Sequence, residues 1–322
     1  MVLSTSETIQ LIYLIPSLLL MIFVAFLLLY KILTKSQAFK NEFYPMVCYR
    51  TFNDILYHFT ILILLKLPAW KIALNFYINS TCLAPLCCIF GAVTCCVPFL
   101  HTFILASMRY MAIYYPIKYS RISSQSTSII ICGVIFTISY GIGLASLAFP
   151  SKYVYNEVTG ITSPVYIVKS VAYFQFCYGI IFYGLTVIGS LILNIANFVG
   201  LRKNNKKNKN KKSEYTFAFY GLFTLFTTCL MEGYLVGRIG GNFLENETMM
   251  AISNYALTWI GDIGTLGDFY FFLFINSEIK LAIKEIFFKI INKQVTSLVI
   301  RSTEVKSLQE TKNSRIKTIP NK

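Results

Sequence analysis

Arg50 and Asp54 sit four residues apart inside a long apolar run, a spacing that puts a cation and a carboxylate one helical turn apart on the same face. A second apolar run holds Asp262 and Asp268, a third holds Glu232, and a fourth holds His101. An ionisable group in such surroundings is expensive to keep, so each is read first as a functional candidate. Counting at 1.5 Å per residue puts Asp54 about 16 Å into its run, with Asp268 about 12 Å and Asp262 nearer 20 Å from the end of theirs. Arg50, Asp54 and Asp268 are thus placed to exchange ion-pair partners between two packings, the chemistry of a polar switch. The alternative is a static pair that only neutralises itself. Glu232 lies some 26 Å along its run, at a height similar to Trp259. It could be a counter-charge to a ligand, or could turn its carboxylate toward headgroups. Glu232, Trp259, His101 and Asp262 are the ligand-contact candidates.

The same inventory argues against an enzyme. Nine cysteines scatter through or beside apolar runs, no Cys-x-x-Cys pair occurs, and there are two histidines, so no metal site is expected. Most of these cysteines read as small buried hydrophobes. Leu266-Gly267-Asp268 is similar to the Gly-x-Gly-Asp of intramembrane aspartyl proteases. Thr265 takes the place of the first glycine, however, and no second aspartate has the required neighbours. No catalytic residue, metal or cofactor is expected.

The elements that must position these residues follow from composition. Of 322 residues, 56% are hydrophobic and 13% charged, against about 45–50% and about 25% in soluble domains. That excess excludes a soluble enzyme. A bilayer core about 30 Å thick needs about 20 apolar residues as a helix. Seven runs of that kind occur, over 8–30, 43–65, 82–107, 126–149, 170–201, 215–236 and 248–277. They are expected to be helices, because backbone groups in lipid need partners within the segment and no period-two alternation suggests a barrel. The first run is read as a retained helix rather than a signal peptide: no Lys or Arg precedes it and no A-x-A pattern follows.

Basic residues set the expected orientation. With the N-terminus outside, 23 of the 29 Lys and Arg residues fall on the cytoplasmic side, and five (Lys66, Lys71, Lys152, Lys169 and Arg238) fall outside. Two N-x-S/T sequons, at Asn79 and Asn246, lie in loops that the same rule places outside, where glycosylation is possible. The net charge of +15 is then an orientation signal and implies no nucleic-acid partner. The run Arg202–Lys212, with seven basic residues in eleven, reads as a cytoplasmic loop touching anionic lipid.

At the inner end of the third run stands Met108-Arg109-Tyr110-Met111-Ala112-Ile113, followed by Pro116 and Tyr119. Read alone, the Arg and Tyr could simply anchor a helix end. Together with seven runs, an outside N-terminus, Ile15-Pro16-Ser17, Phe43-Tyr44 and Leu67-Pro68, the pattern resembles the nematode serpentine chemoreceptors of the srg/srv type, a group of G-protein-coupled receptors. The resemblance covers most of residues 9–290. It implies a seven-transmembrane helix bundle, a small chemical ligand and a heterotrimeric G protein. It also implies coupling through Arg109, Tyr110 and Pro116, beside the polar switch read above from Arg50, Asp54 and Asp268, and a plasma membrane, the ciliary membrane of a sensory neuron included.

Departures from rhodopsin-like receptors are plain. Met108 replaces the acid before the Arg, so Arg109 has no carboxylate neighbour within its own helix. No Cys lies in 150–169 to pair with Cys82, and neither Cys-Trp-x-Pro nor Asn-Pro-x-x-Tyr occurs. After the seventh run, Glu278–Lys293 places Ile279, Ile283, Ile286, Phe287 and Ile290 against Lys280, Lys284, Lys289 and Lys293. This is an amphipathic eighth helix on the inner leaflet, ahead of a disordered basic tail. The expected organisation is an extracellular 1–8, a bundle over 9–277 and a cytoplasmic 278–322, in an all-α membrane protein. The rival readings are a transporter, for which internal repeats are expected and none is evident, and a non-signalling scaffold.

Overall fold

The computed structural model describes residues 5–156, 161–204, 212–244, 246–286 and 288. It divides into two units, Met1–Ile275 and Asn276–Lys322. The first unit is a helical bundle. Its helices are α1 (Thr5–Leu33), α2 (Phe43–Ala69), α3 (Leu83–Tyr114), α4 (Gln125–Ala148), α5 (Val171–Lys203) and α6 (Lys212–Phe243). The seventh, α7, runs through Glu247–Asp262, Ile263–Gly267 and Asp268–Ile275 without a break. Among the described residues six helices, α1 to α6, are long and apolar enough to cross a membrane. Helix α7 is as long, but Asp262 and Asp268 lower its apolar content. The chain is an all-α membrane protein.

Local chemistry explains the helix ends. Glu7 in the first turn of α1 and Lys31 in its last oppose the helix dipole. Ser124 caps α4 by accepting from the Thr127 amide at 3.1 Å, and Asn246 caps α7 by accepting from Met249 at 3.0 Å. Three helices change register inside the bundle: α2 is π-helical over Thr60–Lys66, α5 over Phe176–Phe182 and α7 over Ile263–Gly267. Such turns shift the helix face and are frequent at functional sites.

Helix α3 is the hub and packs against α2, α4, α5 and α6. Its Phe99 stacks on Tyr183 of α5 with ring centroids 4.4 Å apart and planes 11° from parallel. Both rings belong to a core with Leu100, Ile135, Met231, Tyr234, Leu235 and Ile239. Ile181, Leu185, Ile188, Ile192 and Ile195 of α5 are exposed at helical spacing, the apolar face a lipid-bathed helix requires.

Three positions correct the expectation from sequence. Strands β1 (Ser151–Asn156) and β2 (Ile161–Tyr166) form an antiparallel hairpin between α4 and α5, with Ser151 opposite Tyr166. These strands are too short for a pattern search tuned to spans, yet they are rich in Tyr, Val, Ile and Thr. The hairpin packs on the bundle: Tyr153 is buried, and its hydroxyl donates to the Leu64 carbonyl at 2.7 Å. Lys66 and Arg238, expected just beyond their apolar runs, lie within helices, since α2 continues to Ala69 and α6 to Phe243. Lys66 is buried and donates to Gln10 Oε1 at 2.7 Å.

In the second unit, residues 277–286 are helical, and Asn276 Oδ1 accepts from the Ile279 amide at 3.1 Å. Ile279 and Ala282 are buried while Lys280 and Lys284 are exposed. The rest of the expected amphipathic stretch to Lys293, apart from Phe288, and the tail lie outside the described residues. So do 205–211 of the basic loop.

Candidate functional site

The charged residues of α2 and α7 meet in one buried cluster. Arg50 Nε lies 3.0 Å from both carboxylate oxygens of Asp54 and 3.9 Å from Asp268 Oδ2. Its Nη2 donates to the Gly264 carbonyl at 3.2 Å, inside the π-helical turn of α7, so the irregular register supplies an acceptor for the guanidinium. Asn53 of α2 donates to Asp54 Oδ1 at 3.4 Å and to the Thr94 carbonyl of α3 at 3.3 Å. His58 and Thr265 hydrogen-bond at 2.8 Å one turn further along. One guanidinium faces two carboxyls here. Asp268 Oδ1 has no hydrogen-bond partner among the described residues. The cluster therefore holds one more carboxyl than cation, with Asp268 Oδ1 as the acceptor left over.

Tyr220 links this cluster to the opposite end of the bundle from the hairpin. Its hydroxyl donates to Asp268 Oδ2 at 3.2 Å, and its ring packs edge-on against Phe43 at 5.9 Å. Tyr220 and Phe43 also line a cavity of about 330 Å³ between α3, α5 and α6, together with Arg109, Pro116, Asn194 and Asn197. Two sequence candidates, Arg109 and Pro116, thus share one hollow. Tyr110 instead packs beside Tyr114, with centroids 4.7 Å apart.

Arg109 has no acid in its own helix, but one is supplied from the connection between α1 and α2. The Glu42 carboxylate accepts hydrogen bonds from Tyr119 and Ser123 and feels the charge of Arg109. Its backbone carbonyl accepts from Ser128 Oγ at 2.7 Å. Burial opposes the charge, but the bonds from Ser123 and Tyr119, with Arg109, outweigh it and hold the Glu42 carboxyl below the usual range. A depressed folded value contributes stability that is present above the unfolded value of about 4.3 and lost as pH falls through the folded one. Thermal unfolding of Glu42→Gln should accordingly show a smaller loss between pH 7 and pH 4 than wild type. An unchanged acid limb would remove Glu42 from this role.

The ligand candidates do not converge. Asp262 accepts from the Tyr13 hydroxyl of α1 and lies in the field of Lys66, so it ties α1 to α7. His101 is fully buried beside the Met46 backbone of α2. Glu232 lies in the seam between α5 and α6, 3.4 Å from where a Cβ on Gly184 would stand. Trp259 is half-buried on α7. None of the four lines the Arg109 cavity or the small mid-bundle cavity of about 20 Å³ beside Arg50. Glu42 and Tyr220 were beyond sequence reasoning. Glu42 lies one residue outside a span, and Tyr220 is one of 22 tyrosines whose face depends on the register of α6.

The bundle of long apolar helices defines a multi-pass membrane protein. The family model for the serpentine type 7TM GPCR chemoreceptor Srv matches residues 10–289, and the chain belongs to that family. Comparison with curated proteins gives no match.

Proposed function

We propose that the chain is a chemosensory receptor of the plasma membrane, the ciliary membrane of a sensory cell included, that binds a small molecule from outside and signals to a heterotrimeric G protein inside. Its N-terminus is extracellular and the Arg109 end of the bundle is cytoplasmic. Asn79 and Asn246, both exposed, are then available for glycosylation. Arg202, Lys203, Lys280 and Lys284 meet anionic lipid at the inner leaflet. Ligand stabilises one of two packings, and the G protein reads that packing. Residues 1–8, 9–277 and 278–322 serve as outer end, bundle and cytoplasmic tail.

The observation that carries this reading is the continuous path from the Arg50–Asp54–Asp268 cluster through Tyr220 to the Arg109 cavity. A change of partner at the cluster moves Tyr220, and Tyr220 is part of the cavity wall. Ligand entry is assigned to the hairpin end, with Glu232 and Trp259 as contacts, and Asp262 and His101 as supports beneath them. Expression in a heterologous cell with a cyclic-nucleotide or calcium readout tests the reading. Arg109→Ala is expected to abolish the response at normal surface level, and an undiminished response would overturn it.

A further inference from the structure

Arg238 stands on the inward face of α6. It lies three residues after Leu235, four after Tyr234 and seven after Met231, all of them buried, so the helical repeat puts its side chain between theirs. The lipid side of α6 is marked elsewhere, by the exposed Phe226, Val236 and Phe243. Arg238 itself is nevertheless solvent-exposed. An exposed residue on a buried face can be reached from outside the bundle, here at the hairpin end. Its surroundings agree: Arg238 Nη1 donates to Tyr234 Oη at 2.9 Å, and its charge reaches Cys88 and Cys95 of α3 and Tyr178 of α5. Cys88 in turn contacts Tyr166 and Ser151 of the hairpin.

Among the described residues no carboxylate pairs with this guanidinium. Two described acids of the outer half are engaged elsewhere: Glu7 accepts from Trp70 Nε1 at 2.8 Å, and Asp262 accepts from Tyr13. An arginine on the inward face of a membrane helix, beside Tyr234 and Tyr178 and with no carboxylate partner among the described residues, is costly unless something supplies the opposite charge. Below it, Met231, Leu235, Ile239 and Tyr178 form an apolar floor with Leu257 and Ile260 of α7.

We infer that Arg238 is the anchor of a binding site for a small organic carboxylate with an apolar body. Its guanidinium takes the carboxylate through two parallel N–H bonds, and the floor takes the body. This rests on the receptor reading above and deepens it by naming the ligand class. It gives the charge of the ligand to Arg238, and leaves Glu232, at the seam of α5 and α6, as a contact to the body of the ligand rather than its counter-charge.

The test uses the full chain, purified into phosphatidylcholine nanodiscs, with three probes: phenylacetate, octanoate and indole-3-acetate, each beside its primary amide. The acids are expected to raise the unfolding temperature and the amides to do so far less. Arg238→Gln should weaken the acid effect about tenfold or more, while Arg238→Lys, which keeps the charge but loses the fork, retains part of it. The inference is overturned if acid and amide act equally, if Arg238→Gln leaves the acid effect intact, or if none of the three acids acts at millimolar concentration. A cellular response lost in Arg109→Ala but untouched by Arg238→Gln would sink the anion site and spare the receptor reading. Acid binding that depends on Arg238, without any cellular response, would do the opposite.

Discussion

Arg50→Ala is expected to cost the folded bundle about 3–5 kcal/mol, because it leaves two carboxyls buried with no cation between them. Asp54 and Asp268 each lose the guanidinium, the Gly264 carbonyl loses its donor, and Asp268 Oδ1 already has none among the described residues. Surface expression and thermal stability of the solubilised receptor should both fall sharply. Asp54→Asn is a gentler change. It keeps the shape and leaves Arg50 with Asp268, 3.9 Å away in the unaltered cluster, so expression should stay near normal while basal or ligand-driven signalling shifts. Equal loss of expression and signalling in Asp54→Asn would mean that the cluster only ties α2 to α7. Replacing Arg50, Asp54 and Asp268 together with Met, Leu and Leu separates the two roles again. Apolar substitution of a whole buried ion cluster is often neutral or stabilising, so this variant should fold and fail to respond.

Half of that cluster was legible from spacing alone. Arg50 and Asp54 are four apart in an apolar run, and helical geometry admits only one relation between them. Asp268 could be proposed as a partner because a lone carboxylate in α7 needs one. Its other contacts were not legible. Gly264 contributes a backbone carbonyl that only a π-helical turn presents, and no side-chain pattern announces such a turn. Tyr220, Glu42 and Arg238 share a different obstacle. Each works through a contact between elements far apart in sequence, as the bond between Tyr220 and Asp268 shows across 48 residues. Arg238 falls just beyond the sixth apolar run, 215–236, because that run weakens before the helix ends at Phe243. Only the burial of Met231, Tyr234 and Leu235 shows which way it faces.

Gly261→Ala should be the other severe change, and two effects of opposite sign decide it. Alanine is the better helix former by about 0.8–1.0 kcal/mol, so propensity alone predicts a gain. Packing predicts a larger loss. A methyl at Gly261 would stand 1.7 Å from Tyr57 Oη and 2.6 Å from its Cζ, where α7 crosses α2. Tyr57 is buried, and the cavity it shares with Gly261 measures about 20 Å³, room for about one water and not for a displaced phenol ring. Forcing a group into a full core costs about 1–3 kcal/mol, and more where neither side can yield. The helices must part instead, which draws Gly264, three residues on, away from Arg50 and disturbs the cluster as well. We therefore expect lower thermal stability and an altered response together. Tyr57→Ala supplies the control: alone it leaves a void worth several kcal/mol, but combined with Gly261→Ala the methyl has space. The double variant should then be more stable than the sum of the single losses allows, by about 0.5–3 kcal/mol. Strict additivity would show that α2 and α7 do not meet at these two residues, and the path from Arg50 to α7 would lose its support.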